Sequence, residues 1–190
     1  MKRAVEIELD YQNPIGGPPM GSEQLQNQTS SNDKSTIDFW REIWLRNMKD
    51  NHKRFGSFSS KGIHLLYEKH KWGPIICMGS GPSLKRDAEV LVPTEKWQGN
   101  PGIPVISALH NFAFLTDLGV KVDYWVTLDA GEIVIDEMFE GGKHDRAFYR
   151  EHSKSQKLLS YLGTNPRLWD NWQGDVYWFN SIMPDADMRQ

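Results

Sequence analysis

The stretch from Pro74 to Lys85, Pro-Ile-Ile-Cys-Met-Gly-Ser-Gly-Pro-Ser-Leu-Lys, constrains this chain more than any other. The run Ile75 to Met78 reads as a short buried strand. It breaks at Gly79-Ser80-Gly81, and Pro82 sets a backbone angle suited to the first turn of a helix. Leu84, Ala88 and Leu91 follow at helical spacing, which gives that helix an apolar face to lay on the strand. The predicted unit is strand, glycine turn, helix N-terminus. Such a turn offers free backbone N–H groups and the positive end of a helix dipole to an anion. Its two glycines leave no side chain between the backbone and a ligand. It is not the dinucleotide fingerprint, because Leu84 stands where the third glycine would be. It is not a Walker loop, because the glycine spacing before Lys85 is wrong. A ligand-free turn has the same local pattern, since strand-to-helix turns recur throughout α/β folds.

The chain beyond repeats the alternation. Ile103, Val105 and Ile106 make a second strand ending at Ser107-Ala108. Leu109, Phe112, Ala113 and Thr116 follow helical spacing, and Gly119 stops that helix. Tyr124 to Leu128 is a third strand ending at Asp129, followed by Gly131, Glu132 and a helix from Ile133 to Phe139. Residues 140–156 are polar and carry two glycines, which reads as a loop or a broken helix. Lys157 to Leu162 and Val176 to Phe179 are the fourth and fifth strands, with a turn at Trp169 to Gly174. Strands separated by helix-length connections imply a Rossmann-like α/β fold over about residues 72–180. The expectation is a parallel sheet with helices on both faces. The expected strand order is 3-2-1-4-5, because three strands precede a long connection. Ligands bind beyond the carboxyl ends of such strands. The loops Gly79–Ser83, Ser107–Asn111 and Asp129–Glu132 are therefore expected to meet.

The first part of the chain reads differently. Val5, Ile7 and Leu9 alternate with acidic residues, as in a short strand added to a sheet edge. Residues 11–35 are rich in Gly, Pro, Gln, Asn and Ser, so 1–35 is read as a flexible arm. Ser35 or Thr36 can cap a helix that places Phe39, Ile43 and Trp44 on one face. With a short helix at 63–70 it makes a helical extension over 36–71, ahead of the domain at 72–190. That helix either packs on the α/β domain or, with the arm, meets a protein partner or a second copy.

Composition removes other classes. The net charge is −3, from 22 basic and 25 acidic residues, so nothing marks a nucleic-acid binder. No apolar run approaches the roughly 20 residues of a membrane span. The first ten residues lack the apolar core of a signal peptide. The single cysteine, Cys77, allows no disulfide within the chain and reads as a small buried residue of the first strand. A reducing, cytoplasmic setting fits. His64 and His70 lie six apart, which does not put two metal ligands on one helix face.

The residues that carry chemistry follow from the three loops. Gly79, Ser80, Gly81, Pro82 and Ser83 would bind a cofactor's phosphates, with hydroxyl donors from the serines. The other reading of Ser80 and Ser83 is helix capping. Lys85 is either a phosphate contact or a solvated helix residue. Asn111 would bond a base or sugar, and His110 would act as acid or base, or be structural. Asp129 has catalytic and metal-binding readings. With Glu132 it could hold Mg²⁺, a hard cation that bridges phosphates. The competing reading is that Asp129 caps the helix beginning near Ile133. His144, Asp145 and His152 lie in a polar segment read as a solvated loop or a lid.

Two of these segments carry a resemblance. Gly79-Ser80-Gly81-Pro82-Ser83-Leu84-Lys85 resembles the glycine-proline-serine-leucine loop of the archaeal-type 6-hydroxymethylpterin diphosphokinase family. Motility accessory factor glycosyltransferases share that loop, and some bacterial sialyltransferases have a similar one. The run from Leu118 to Asp129 is similar to that group's segment leading into a strand ending in aspartate, with Val122 in place of the usual proline. The resemblance spans about residues 72–180. It implies a nucleotide-binding transferase that moves a diphosphate from ATP to an alcohol acceptor with Mg²⁺. The glycosyltransferase alternative uses a CMP-linked sugar as donor. A third reading is a non-catalytic module that keeps the fold and binds a partner. The family domain continues past its fifth strand, so a domain incomplete at its C-terminus is expected.

Overall fold

A computed structural model describes residues 22–67, 69, 73–94, 102–140 and 142–180, with side chains from residue 35 onward except at 59 and 60. The expected strand within 1–10, the expected arm at 11–21 and the tail after 180 lie outside the described residues. The first element is the long helix α1, Ser22–Phe55. It begins fourteen residues before the predicted start near Thr36 (36 − 22), and therefore takes in part of the expected arm. No Gly or Pro interrupts the chain between Gly21 and Gly56, and Gln, Glu, Lys and Arg are good helix formers. The helix ends where Gly56 takes φ +70°, its N–H donating to His52 O at 2.8 Å. The chain divides into two compact units between Arg41 and Glu42, within α1. The second unit therefore starts about thirty residues before the expected boundary at 72 (72 − 42).

That unit holds five strands: β1 Ile76–Met78, β2 Val105–Ala108, β3 Tyr124–Thr127, β4 Lys157–Tyr161 and β5 Asp175–Phe179. Every neighbouring pair is parallel. Between them run α2 Leu84–Ala88, α3 Phe112–Asp117, α4 Glu132–Phe139 and α5 Arg146–Ser153. This is an α/β, Rossmann-like sheet with helices. The strand order is β1-β2-β3-β4-β5, not the expected 3-2-1-4-5. The long connection holding α4 and α5 returns the chain beside β3, where β4 pairs directly, and never crosses β1. Three consequences follow. β1 is an edge strand, so Cys77 is exposed rather than buried, and Ile75 is also exposed. β3 is central, with Tyr124 and Trp125 both buried although they face opposite ways. No switch point occurs, yet the carboxyl ends of β1, β2 and β3 are immediate neighbours.

Register aligns Met78, Ser107, Trp125, Leu158 and Val176 in one buried row across the sheet. Phe112 of α3 packs on this row against Trp125, ring centroids 4.9 Å apart, and stacks on Tyr149 of α5 at 5.6 Å. Tyr149 in turn meets Phe139 of α4 edge-on at 4.6 Å. Burying each such ring contributes roughly 1.5–3 kcal/mol, so this cluster holds three helices to the sheet. On the other sheet face Tyr161 meets Trp44 of α1 at 5.9 Å. The free edge of β5 is covered where Gly62 bridges Trp178 and the Phe58 ring lies 4.9 Å from that indole. The helix predicted at 63–70 is a single 3₁₀ turn, Ile63–Leu66, with Ile63 and Leu65 exposed.

Of the two readings of 140–156, α5 favours the broken helix over the loop. Its few large apolar side chains conceal the period, but Asp145 caps it, accepting from Phe148 N at 3.0 Å. Just before it, Lys143 and His144 donate to or pair with Asp117 at the end of α3, at 2.9 and 2.8 Å. The bond to His144, then that to Lys143, holds the Asp117 carboxyl below its ordinary value. A carboxyl depressed on folding adds stability above its unfolded value near pH 4 and loses it as pH falls through the folded value. Denaturant midpoints of wild type and Asp117→Asn should thus differ near pH 6 and converge as pH falls toward 3. A difference independent of pH would contradict this assignment.

Candidate functional site

The turn after β1 runs Gly79 to Ser83, and all five residues are exposed. Leu84 N donates to Gly81 O at 3.0 Å, which closes it. The N–H groups of Ser80, Gly81 and Ser83 have no acceptor among the described residues. A Cβ placed on Gly79 or Gly81 would meet nothing within 4 Å, and neither glycine has positive φ. Neither backbone strain nor packing therefore requires glycine there. α2 is a five-residue helix, so its dipole adds little to the turn. An anion at this turn would be held by the N–H groups that have no acceptor among the described residues.

Neither serine caps a helix through its side chain. Ser83 sits at the N-terminal boundary of α2 without a side-chain cap bond. Ser80 Oγ instead donates to Asn111 Oδ1 at 2.9 Å. Asn111 is buried, and its Nδ2 donates to Ser107 Oγ at 3.1 Å and to Met78 O at 3.5 Å. The Asn111 amide thus ties the glycine turn to the ends of β1 and β2. This is a holding role, and its full set of protein partners leaves little of it to face a base or sugar.

The neighbouring residue, His110, is exposed and brings Nδ1 to 3.5 Å from Asp129 Oδ2. Asp129 Oδ2 also accepts from Thr127 Oγ1 at 3.2 Å, and Asp129 N donates back to that oxygen at 3.3 Å. Asp129 does not cap α4. The N-cap position is Gly131, and no side chain caps that end. The carboxylate is held by β3 and directed to the imidazole. Glu132 is exposed at the first position of α4. Among the described residues no group of three or more His, Cys, Asp or Glu side chains is arranged to hold a metal. The Asp129 carboxylate is an oxygen ligand of the kind Mg²⁺ takes.

The three predicted loops therefore do meet: Ser80 touches Asn111, and His110 reaches Asp129. Lys85 lies exposed on α2. His144, Asp145 and His152 belong instead to the α5 region, where the His144 and His152 rings flank Phe148 at 3.7 and 4.2 Å.

The sequence reading missed the residues that pin the Asp129 loop. Asn165 N donates to Asp129 O at 2.9 Å, and Asn165 Nδ2 donates to Ala130 O at 3.2 Å. Asn47 Nδ2, from α1, donates to the same Ala130 O at 3.1 Å and to Gly163 O at 3.0 Å. One signal was available: Asn47 and Asn51 stand four apart in α1 beside Ile43, Trp44 and Met48. Polar amides sharing a helix face with apolar residues indicate buried backbone partners.

No protein-family model, curated protein or solved structure matches this chain. Among the described residues no helix is long and apolar enough to cross a membrane.

Proposed function

We propose that this chain is a nucleotide-dependent transferase acting on an alcohol. The observation that carries the reading is one juxtaposition: an open glycine turn with free N–H groups, tied through Asn111 to a loop whose His110 faces Asp129. The turn takes the donor's phosphates through the N–H groups of Ser80, Gly81 and Ser83. Pro82 fixes the chain direction between them, and Gly79 and Gly81 allow close approach. His110 accepts the proton of the acceptor hydroxyl, and Asp129 orients the ring and stabilises the imidazolium that forms. With ATP as donor, the acceptor oxygen bonds to the β-phosphorus, the bond between the α- and β-phosphates breaks, and AMP leaves. With a CMP-linked sugar, the oxygen bonds to the anomeric carbon and CMP leaves. Mg²⁺, bound through Asp129 and the phosphates, would neutralise charge on the leaving group. The resemblance of the glycine loop and of the run into Asp129 to the diphosphokinase group supports the same reading.

Calorimetry with ATP, CTP and a CMP-sugar, with and without Mg²⁺, tests it on wild type and Asp129→Asn. Wild type should bind at least one of them more tightly with Mg²⁺. Asn keeps the shape but not the charge, so the variant should lose that Mg²⁺-dependent gain, about tenfold or ~1.4 kcal/mol. Binding unchanged by Asp129→Asn would keep the phosphate turn and remove the metal role from Asp129. No binding by the folded wild type to any of the three would overturn the reading and leave a non-catalytic partner-binding module.

A further inference from the structure

A groove of about 320 Å³ opens between β1 and α2. Gly79 and Ser83 line it, so it continues directly from the turn. Its walls are otherwise largely apolar, with Met78, Leu84 and Leu91 among them, and Asp87 is the carboxylate on its lining. The volume lies at the lower end of the range that small-ligand pockets occupy, which suits a nucleoside rather than a larger body. An apolar slot with one fixed polar group orients a flat heterocycle by burying its faces and bonding its edge.

Resting on the phosphate assignment above, we propose that this groove receives the base of the donor nucleotide and that Asp87 accepts a hydrogen bond from the base's exocyclic amine. An ionised carboxylate only accepts, so it pairs with an exocyclic amine, which adenine and cytosine, the bases of the two donors proposed above, both carry. Arg86 Nε donates to Asp87 Oδ1 at 2.8 Å, which orients the carboxylate and balances its charge near the phosphates. The bond from Arg86, followed by that from Ser83, keeps the Asp87 carboxyl below its ordinary value and hence ionised. Cys77 and Val90 also line the groove and are exposed.

The test compares nucleotides with analogues that lack only the amine. ATP is set against purine riboside triphosphate, and CTP against the triphosphate of pyrimidin-2-one riboside. Inorganic pyrophosphate is the probe for the turn alone. Wild type should bind the amine-bearing member of at least one pair about tenfold more tightly. In Asp87→Ala, an exposed position where folding is not at stake, that preference should vanish while pyrophosphate binds no more weakly. Equal binding of both members of each pair by wild type, or a preference that survives Asp87→Ala, would overturn the base assignment. If pyrophosphate still binds in that case, the phosphate turn stands. Failure of pyrophosphate to bind wild type would overturn the phosphate assignment and this one with it.

Discussion

Asn51→Ala should lower the unfolding free energy by about 3–5 kcal/mol. Asn51 is fully buried on α1. Its Nδ2 donates to Leu162 O and Thr164 O, both at 2.9 Å, and its Oδ1 accepts from Trp169 Nε1 at 2.6 Å. Those carbonyls belong to the turn after β4, where they have left the sheet ladder. Alanine removes all three bonds and admits no partner in their place. Each buried group left unpaired costs roughly 1–3 kcal/mol, and the three share one site, so the sum is less than additive. Asn51→Asp should be no better, because an ionised carboxylate would face two carbonyl oxygens. Urea unfolding followed by Trp fluorescence measures the change. A loss below about 1 kcal/mol would mean that this amide does not anchor residues 42–55 of α1 to the turn after β4.

Gly174→Ala should cost about 3 kcal/mol or more, and Gly79→Ala almost nothing. At Gly174 a Cβ would lie 2.3 Å from the carbonyl oxygens of both Ser153 and Gln156. These are backbone atoms that cannot swing aside. The chain passes this close because Asp175 N donates to Gln156 O and Gln173 N donates to Ser153 Oγ, both at 2.9 Å. Those bonds start β5 in register with β4, so relief of the clash would disturb the sheet. At Gly79 a Cβ meets open space in ordinary backbone geometry, and the lower entropy of the unfolded chain would offset any small loss. Denaturation of the two variants side by side gives the comparison. Similar costs at both positions would contradict the distinction between a packing glycine and an access glycine.

That distinction shows what the sequence could and could not carry. Short apolar-rich segments located all five strands, β1 at Ile75 to Met78 included, and their helix-length spacing implied parallel pairing. Strand order was not legible, because it depends on which edge a returning chain finds, and nothing local to Lys157–Tyr161 names β3 as its neighbour. Cys77 reads as buried because it stands in an apolar run, but β1 lies at the sheet edge and exposes it. The helical stretch from Ser22 to Ser35 was hidden because its polar composition resembles that of a loop, although it lacks the Gly and Pro that break helices. α5 was hidden because Phe148 and Tyr149 are flanked by charge. In the site, Asp129 and His110 were legible as residue types at strand ends. The Thr127 bond to Asp129 is local, two residues apart, but the approach of His110 to 3.5 Å and the support from Asn165 depend on tertiary contacts that no spacing encodes.

Phosphate binding by the Gly79–Ser83 turn is tested most directly by calorimetric titration of wild type and Gly81→Val with pyrophosphate. A Cβ at Gly81 meets no protein atom, so the variant should unfold at the same denaturant concentration as wild type. Its branched side chain would add bulk at the turn without removing a charge. Wild type should bind pyrophosphate, and Gly81→Val, equally folded, should bind it at least tenfold more weakly. Equal binding by the two proteins, or none by wild type, would contradict phosphate binding at this turn.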